Sequence, residues 1–435
     1  MCRRPDIPLP TQQRKANLWL RKSIAARAAN DVEAEVTALT SNCRFLQRSD
    51  ACQSSTHENM NEKRVFGLFY REEIVDGELL GHGAFSEVHE IREFRLTQSA
   101  RFTEEEQKTR EYLRATCIDD AGNCRYVIKF LKSDLMSVRR KFNQAAADLV
   151  LETKFLANLD HPNIIKIRGW AAGGTDSFKG GKHDGYFMIM DRLDETLSQR
   201  ISMWKKEELP RHERMRNNQL LHYAEKVNIA LQIADALQYL HARDIIFRDM
   251  KPDNVGFRDG KVQLFDFGLC RELPEEMANE NKVFEMSGVG TRRYMAPEIV
   301  KGMAYNLKID VYSWAMVFYE VLCLQKPFEL YNRAIHRILV CENGERPSLR
   351  PYWPAEIRSL LNDCWSQDPA QRPSIKQVCE ILSPSVAVAE MQKLSPADRS
   401  IRVIFELADI LSFGKETPVV DLTTTTVTMS STAVC

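Results

Sequence analysis

The sequence predicts an α+β chain of two lobes, a small strand-rich half followed by a larger helical half with a cleft between them. Three observations carry this. Short β-rich runs separated by turn residues fill the region from Ile74 to Leu131, a single amphipathic helix follows at Ser137 to Leu159, and helical spacing dominates from Val227 onward. The 435 residues, 44% of them hydrophobic, suffice for one large domain with tails.

Taken in order, residues 1–73 alternate basic, Ala-rich and Ser/Asn-rich patches without a sustained period, and are expected to form a disordered extension. Its arginines and lysines (Arg3, Arg4, Arg14, Lys15, Arg21, Lys22, Arg27) faintly resemble an organelle transit peptide, but a basic tail is the expectation. A domain at 74–384 opens with strands at Glu78 to Leu80, Glu87 to Phe94 and Arg125 to Leu131, read as antiparallel. Arg95 to Asn123, charged and Thr-rich, is expected to be an exposed, mobile insertion. Phe142, Ala145, Leu149, Leu156 and Leu159 give the Ser137 to Leu159 helix its apolar face, and His161-Pro162 ends it. Tyr186 to Met190 is an apolar strand and Val227 to Leu240 a second amphipathic helix. The tail, 385–435, is expected to be mostly disordered, with one possible helix at Asp398 to Leu411 and a low-complexity Thr423 to Thr428.

The bulk chemistry excludes several classes. Lys and Arg total 60 against 60 Asp and Glu, so no global field holds nucleic acid or an anionic membrane. No stretch is long and apolar enough for a membrane span. Eleven scattered cysteines with no C-x-x-C pair read as reduced thiols, pointing to an intracellular, cytoplasmic protein without disulfides or structural zinc.

Chemistry enters at Leu80-Gly81-His82-Gly83-Ala84-Phe85-Ser86-Glu87-Val88, a glycine-rich turn between two strands, where missing side chains let backbone N–H groups approach phosphates. Alone it is more often an ordinary hairpin. Lys129 sits in an apolar strand and Glu152 on the inward face of the helix that follows. Each charge is costly there by itself, and an ion pair relieves both. Phe247-Arg248-Asp249-Met250-Lys251-Pro252-Asp253-Asn254 and Phe265-Asp266-Phe267-Gly268 then flank a hairpin at Asp259-Gly260.

This ordered set resembles the eukaryotic protein kinase family from Ile74 to Leu382. The resemblance implies the bilobal kinase fold and transfer of the γ-phosphate of Mg-ATP to protein substrates. It makes Lys129 the phosphate-positioning lysine, Glu152 its helix partner, Asp249 the acceptor of the substrate hydroxyl's proton, Lys251 a neutraliser of the transferring phosphate, and Asn254 and Asp266 the Mg²⁺ ligands. The ATP slot would be lined by Leu80, Gly81, Gly83, Ala84, Ser86, Val88, Val127, Lys129, Met190, Asp191 and Leu193, with Met190 as gatekeeper before the hinge. Lys251 and Gly290-Thr291 resemble the Ser/Thr type. Asp310-Val311-Tyr312-Ser313-Trp314 and Cys364-Trp365 resemble the tyrosine-kinase-like group. Glu298 and Arg372 are expected to form a buried structural pair.

Departures are few. Ser86 stands at the third loop glycine, and Phe247 replaces a histidine under Phe267, where it would join a stack with Leu156 and Ile167. Val127 replaces the alanine above the adenine, and Gly256 replaces an apolar residue below it. Either the adenine plane shifts or a neighbouring side chain fills the floor. Arg248 and Arg271 would converge without a counter-anion until Ser287 is phosphorylated, which makes Ser287 the expected activating site. A pseudokinase-like ATP-binding scaffold is the alternative, but Lys129, Asp249, Asn254 and Asp266 are all intact.

Overall fold

The computed structural model describes residues 32–40, 43–47, 64–97, 101–178, 182–207, 216–273 and 282–393. Six strands form the small-lobe sheet: β1 (Gly67–Phe69), β2 (Ile74–His82), β3 (Ser86–Phe94), β4 (Tyr126–Leu131), β5 (Ile167–Ala171) and β6 (Phe187–Asp191), in the order β1-β5-β6-β4-β3-β2. The pairings are antiparallel as expected, except that β1 lies parallel to β5. β4 is buried along its whole length, which its unbroken Tyr-Val-Ile-Lys-Phe-Leu composition allows.

Three helices dress this sheet. α1 (Val32–Thr40) turns Val36 and Leu39 inward, and α2 (Glu104–Ala115) packs beside β1. α3 (Arg139–Asn158) carries Glu152 on its buried face. The large lobe is built on α4 (Leu197–Glu207), α5 (Arg216–His241), α6 (Lys308–Cys323), α7 (Ala355–Cys364) and α8 (Ile375–Lys393). α6 is buried from Lys308 to Leu322, and its Trp314 indole N–H donates to the Ala230 carbonyl of α5 at 2.9 Å. Short strands line the cleft below the first sheet. These are β7 (Glu195–Thr196), β8 (Ile245–Ile246), β9 (Val255–Arg258), β10 (Lys261–Leu264) and β11 (Arg271–Glu272). β9 and β10 are joined by Asp259 and Gly260, both at positive φ, the two-residue turn that matches strand twist.

Three expectations need correction. The extension 1–73 is not wholly disordered: α1, residues 43–47 and β1 are ordered, and Val36, Leu39, Cys43 and Leu46 join the main core. The 95–123 insertion is not simply exposed and mobile. Thr103 caps α2 through the Glu106 N–H at 3.2 Å, and Glu106 returns a bond to the Thr103 N–H at 2.7 Å. Arg110 is buried on Glu73 at 2.6 Å and lies 4.0 Å over the Phe102 ring. The last helix also passes the expected boundary at 384 and runs to Lys393 with Pro384 inside it. The expected helix at Asp398 to Leu411 and the Thr423 to Thr428 stretch lie outside the described residues.

Candidate active site

Pairing of β3 with β4 sets Val88 across from Lys129, and pairing of β4 with β6 sets Val127 across from Met190. Both follow from the strict alternation of an extended chain. The Lys129 ammonium lies 2.9 and 2.7 Å from the two Glu152 oxygens and 3.0 Å from an oxygen of Asp266. Burial alone would lower the Lys129 pKa, but the Asp266 and Glu152 carboxylates raise it above its ordinary value. Burial pushes the Glu152 carboxyl up to about 7 even with the ammonium pulling it down. The Lys129 ammonium thus opposes the protonation that burial favours at Glu152. The Lys129 ammonium also holds the Asp266 carboxyl below the usual range.

The glycine-rich turn closes with the Gly83 N–H donating to the Ser86 carbonyl at 2.8 Å. A Cβ at Gly83 would meet Ser86 Oγ at 2.9 Å. Leu80, Gly81, Ala84 and Ser86 sit at this turn or on its flanks, with Leu80 and Ala84 exposed. At the hinge the Asp191 side chain turns away. It is buried between Arg168, at 2.7 and 2.8 Å, and Arg258, so a nucleotide would meet only its backbone. Leu193 lies against Gly256. A Cβ at Gly256 would lie 2.5 Å from Leu193 Cδ1 and 3.3 Å from the Glu195 carbonyl oxygen, so the leucine already fills the space that the glycine leaves.

Across the cleft, Asp310 at the start of α6 accepts bonds from the backbone N–H groups of Phe247 and Arg248 at 2.8 and 2.9 Å, and its Oδ2 is 2.9 Å from His241 Nε2. These contacts hold Arg248 in a left-handed conformation, φ 72°. The next residue, Asp249, collects three side chains. Lys251 Nζ is 2.6 Å from Oδ2, Asn254 Nδ2 is 3.0 Å from the same oxygen, and Thr291 Oγ1 donates to Oδ1 at 2.9 Å. Gly290 makes that last contact reachable. It has φ 120°, and a Cβ there would come within 2.7 Å of the Arg248 carbonyl.

Asn254 and Asp266 fit a hard cation. The Asn254 amide spends its nitrogen on Asp249, which leaves its oxygen as an acceptor, and Asp266 is a carboxylate kept ionised. No cluster of three or more His, Cys, Asp or Glu side chains suited to a metal occurs among the described residues. A hard cation held by these two side chains would need further oxygen ligands.

Part of the expected stack is seen: Phe247 meets Phe267 edge-on at 5.2 Å, and Leu156 and Ile167 are buried. The structural pair is seen too, with Arg372 nitrogens 2.6 and 2.9 Å from the Glu298 oxygens. The two arginines are a partial correction. Both bond the same turn, Arg248 at the Leu269 carbonyl and Arg271 at the Gly268 carbonyl, and burial with the Arg248 charge pushes Arg271 down to about 10, but Arg271 has a counter-anion in Asp148 of α3 at 3.2 Å. Arg248 instead donates to the Leu269 carbonyl at 2.6 Å and the Tyr305 hydroxyl at 3.2 Å. Thr291, Asp310, Asp148 and Tyr305 were missing from the expected site. Of these Thr291 and Asp310, each inside a recognised motif, carried a signal in the sequence.

Residues 115–382, over half of the chain, match the family described as Protein kinase domain. The chain is 29% identical over 240 residues to Mitogen-activated protein kinase kinase kinase 7 of Bos taurus, covering 54% of this chain and 36% of that protein. It is 29% identical over 242 residues to a probable LIM domain-containing serine/threonine-protein kinase of Dictyostelium discoideum, covering 55% and 33%. To Serine/threonine-protein kinase Nek1 of Mus musculus it is 28% identical over 256 residues, covering 59% and 19%. The chain thus spans about a third or less of the length of these relatives. With the matched residues holding Lys129, Glu152, Asp249, Asn254 and Asp266 in one cleft, the chain belongs to the protein kinase family.

Proposed function

We propose that this protein transfers the γ-phosphate of Mg-ATP to serine or threonine hydroxyls of protein substrates. The observation that supports this best is the pair of constellations facing each other across the cleft, Lys129 with Glu152 and Asp266 on one side and Asp249 with Lys251, Asn254 and Thr291 on the other. Asp249 accepts the proton of the substrate hydroxyl as its oxygen attacks the γ-phosphorus and the bond to the bridging β,γ-oxygen breaks, releasing ADP. Lys251, already on Asp249, is within reach to offset charge on the transferring group, and Lys129 orients the phosphates that stay behind. Asp266 and Asn254 would hold a magnesium ion, which would supply charge neutralisation at the phosphate oxygens.

Thr291 on Asp249 supports the Ser/Thr assignment, since it ties the substrate-docking loop to the base. Val127, Met190 and Leu193 bound the adenine slot, with Leu80, Gly81, Gly83, Ala84, Ser86 and Val88 above the phosphates. Ser287 remains the switch we favour. The Tyr305 hydroxyl accepts from Arg248 and donates to the Ser287 carbonyl at 2.8 Å, so a phosphate on Ser287 would arrive near Arg248, which has no carboxylate partner among the described residues.

The decisive experiment compares wild type with Asp249→Asn for ATP binding and for phosphate transfer to a peptide array. Transfer is expected to fall roughly 10²- to 10⁴-fold with ATP binding kept. ATP binding by the wild type with no transfer to any peptide would favour the ATP-binding scaffold instead. For the switch, phosphatase-treated enzyme and Ser287→Ala should both be slower than the phosphorylated enzyme, and equal rates in all three would refute it.

A further inference from the structure

The ordered part of the N-terminal extension touches both lobes at the element that carries Glu152. α1 lies along α3 with Glu35, Val36 and Leu39 buried, and Phe45 stacks on Phe155 of α3 with ring centroids 6.0 Å apart and planes 15° from parallel. The adjoining contacts run to the large lobe. The Phe45 backbone N–H donates to Glu272 Oε2 at 2.9 Å, and Arg44 donates to the Leu273 carbonyl at 3.2 Å while lying 3.6 Å from Glu272 Oε1 and 3.9 Å from Asp244. Arg44, Phe45, Asn158, Asp244 and Glu272 line a cleft of about 370 Å³ between the end of α3 and the large lobe, so at this end the two lobes are joined across open space through Arg44 and Phe45. Arg64 grips the same end of α3, donating to the Leu159 carbonyl at 2.8 Å.

The spacing on α3 gives these contacts their meaning. Asp148, Glu152 and Phe155 follow one another at steps of four and three and so share one face of the helix. Asp148 meets Arg271, Glu152 meets Lys129, and Phe155 meets Phe45. β11 therefore anchors α3 twice, directly through Arg271 and through the extension by Glu272.

We propose that Arg44 and Phe45 are positioning residues for phosphoryl transfer, holding α3 against β11 so that Glu152 stays on Lys129; this rests on the kinase function proposed above. They touch no reacting atom. Losing them frees α3 to swing outward by its C-terminal half, and the ammonium of Lys129 loses its fixed aim.

The test uses the full-length chain with Arg44→Ala and Phe45→Ala together, and separately the milder Arg44→Lys with Phe45→Leu in case the first folds poorly. We expect kcat to fall roughly 2- to 30-fold in the alanine variant, the span of coupling carried by residues that touch neither ligand. The conservative variant should recover most of it. Amide hydrogen exchange should accelerate along α3 while that of α6 stays at the wild-type rate. Wild-type kcat together with wild-type exchange in α3 overturns the proposal, and so does faster exchange spread equally over α3 and α6, which would mean a merely structural role. If the wild type itself transfers no phosphate, the kinase reading fails, while selective exchange in α3 still decides the clamp.

Discussion

Replacing Gly256 by leucine probes the nucleotide slot most directly. Ordinary contact begins at 3.4 Å, and the first added carbon would lie 2.5 Å from Leu193 Cδ1, so Leu193 must retreat by roughly 1 Å before the rest of the new side chain is placed. The Glu195 carbonyl oxygen, 3.3 Å away on the backbone, leaves no room on the other side. Forcing extra carbons into a filled site costs about 1–3 kcal/mol, which read out as ATP affinity is roughly a 5- to 150-fold rise in Kd. The assay is ATP binding to wild type, Gly256→Leu, Leu193→Ala and the double variant. The two leucines compete for one space, so the double variant should bind ATP better than Gly256→Leu alone, a coupling of the kind a mutant cycle isolates. An unchanged Kd in Gly256→Leu, or a double variant no better than it, would show that Leu193 is not the floor.

Lys129→Met should lower transfer by about 10²- to 10³-fold, because it removes the preorganised cation and leaves Glu152 buried beside Asp266 and free to take up a proton; peptide phosphorylation measures it, and near wild-type turnover would refute the role of the pair. Arg372→Met strands Glu298 in the core and should cost about 3–5 kcal/mol in unfolding free energy by denaturant titration, whereas a loss under 1 kcal/mol would mean that water reaches the pair. Burial would raise the Glu73 carboxyl, but bonds from Thr97 and Tyr70 and the charge of Arg110 hold it below its ordinary 4.5. Its folded pKa is thus the lower one, so its contribution to stability is complete above about 4.5 and is lost as pH falls below that. Glu73→Gln should flatten the acid limb of the stability curve, and an unchanged slope would exclude it as a cause.

Much of the catalytic cleft was legible because its chemistry sits in contiguous motifs whose spacing the two lobes then bring together. Lys129 and Glu152 could be paired from the sequence, since each would be an isolated charge in an apolar face. The insertion was misread because its charged composition outweighed a signal that was present, the Thr103-x-x-Glu106 capping box ahead of α2. Val36, Leu39, Cys43 and Leu46 likewise recur at steps of three and four, but polar residues dilute the pattern and the surface that completes it lies far along the chain on α3. Asp148 on Arg271 and Leu193 over Gly256 depend on side-chain directions that residue identity does not determine.

The small-lobe sheet has two outer strands, β1 and β2, and the chain protects them by different means. α2 packs along β1, with Leu113 close enough to crowd a Cβ at Gly67, so the helix inserted between β3 and β4 acts as a cover for exposed backbone hydrogen-bonding groups. β2 breaks its register with β3 at three places between Val75 and Gly81, irregularities that twist a border strand away from a flat template. A shortened chain lacking 95–123 would keep every catalytic side chain but lose that cover, leaving β1 open to pairing with strands of other copies.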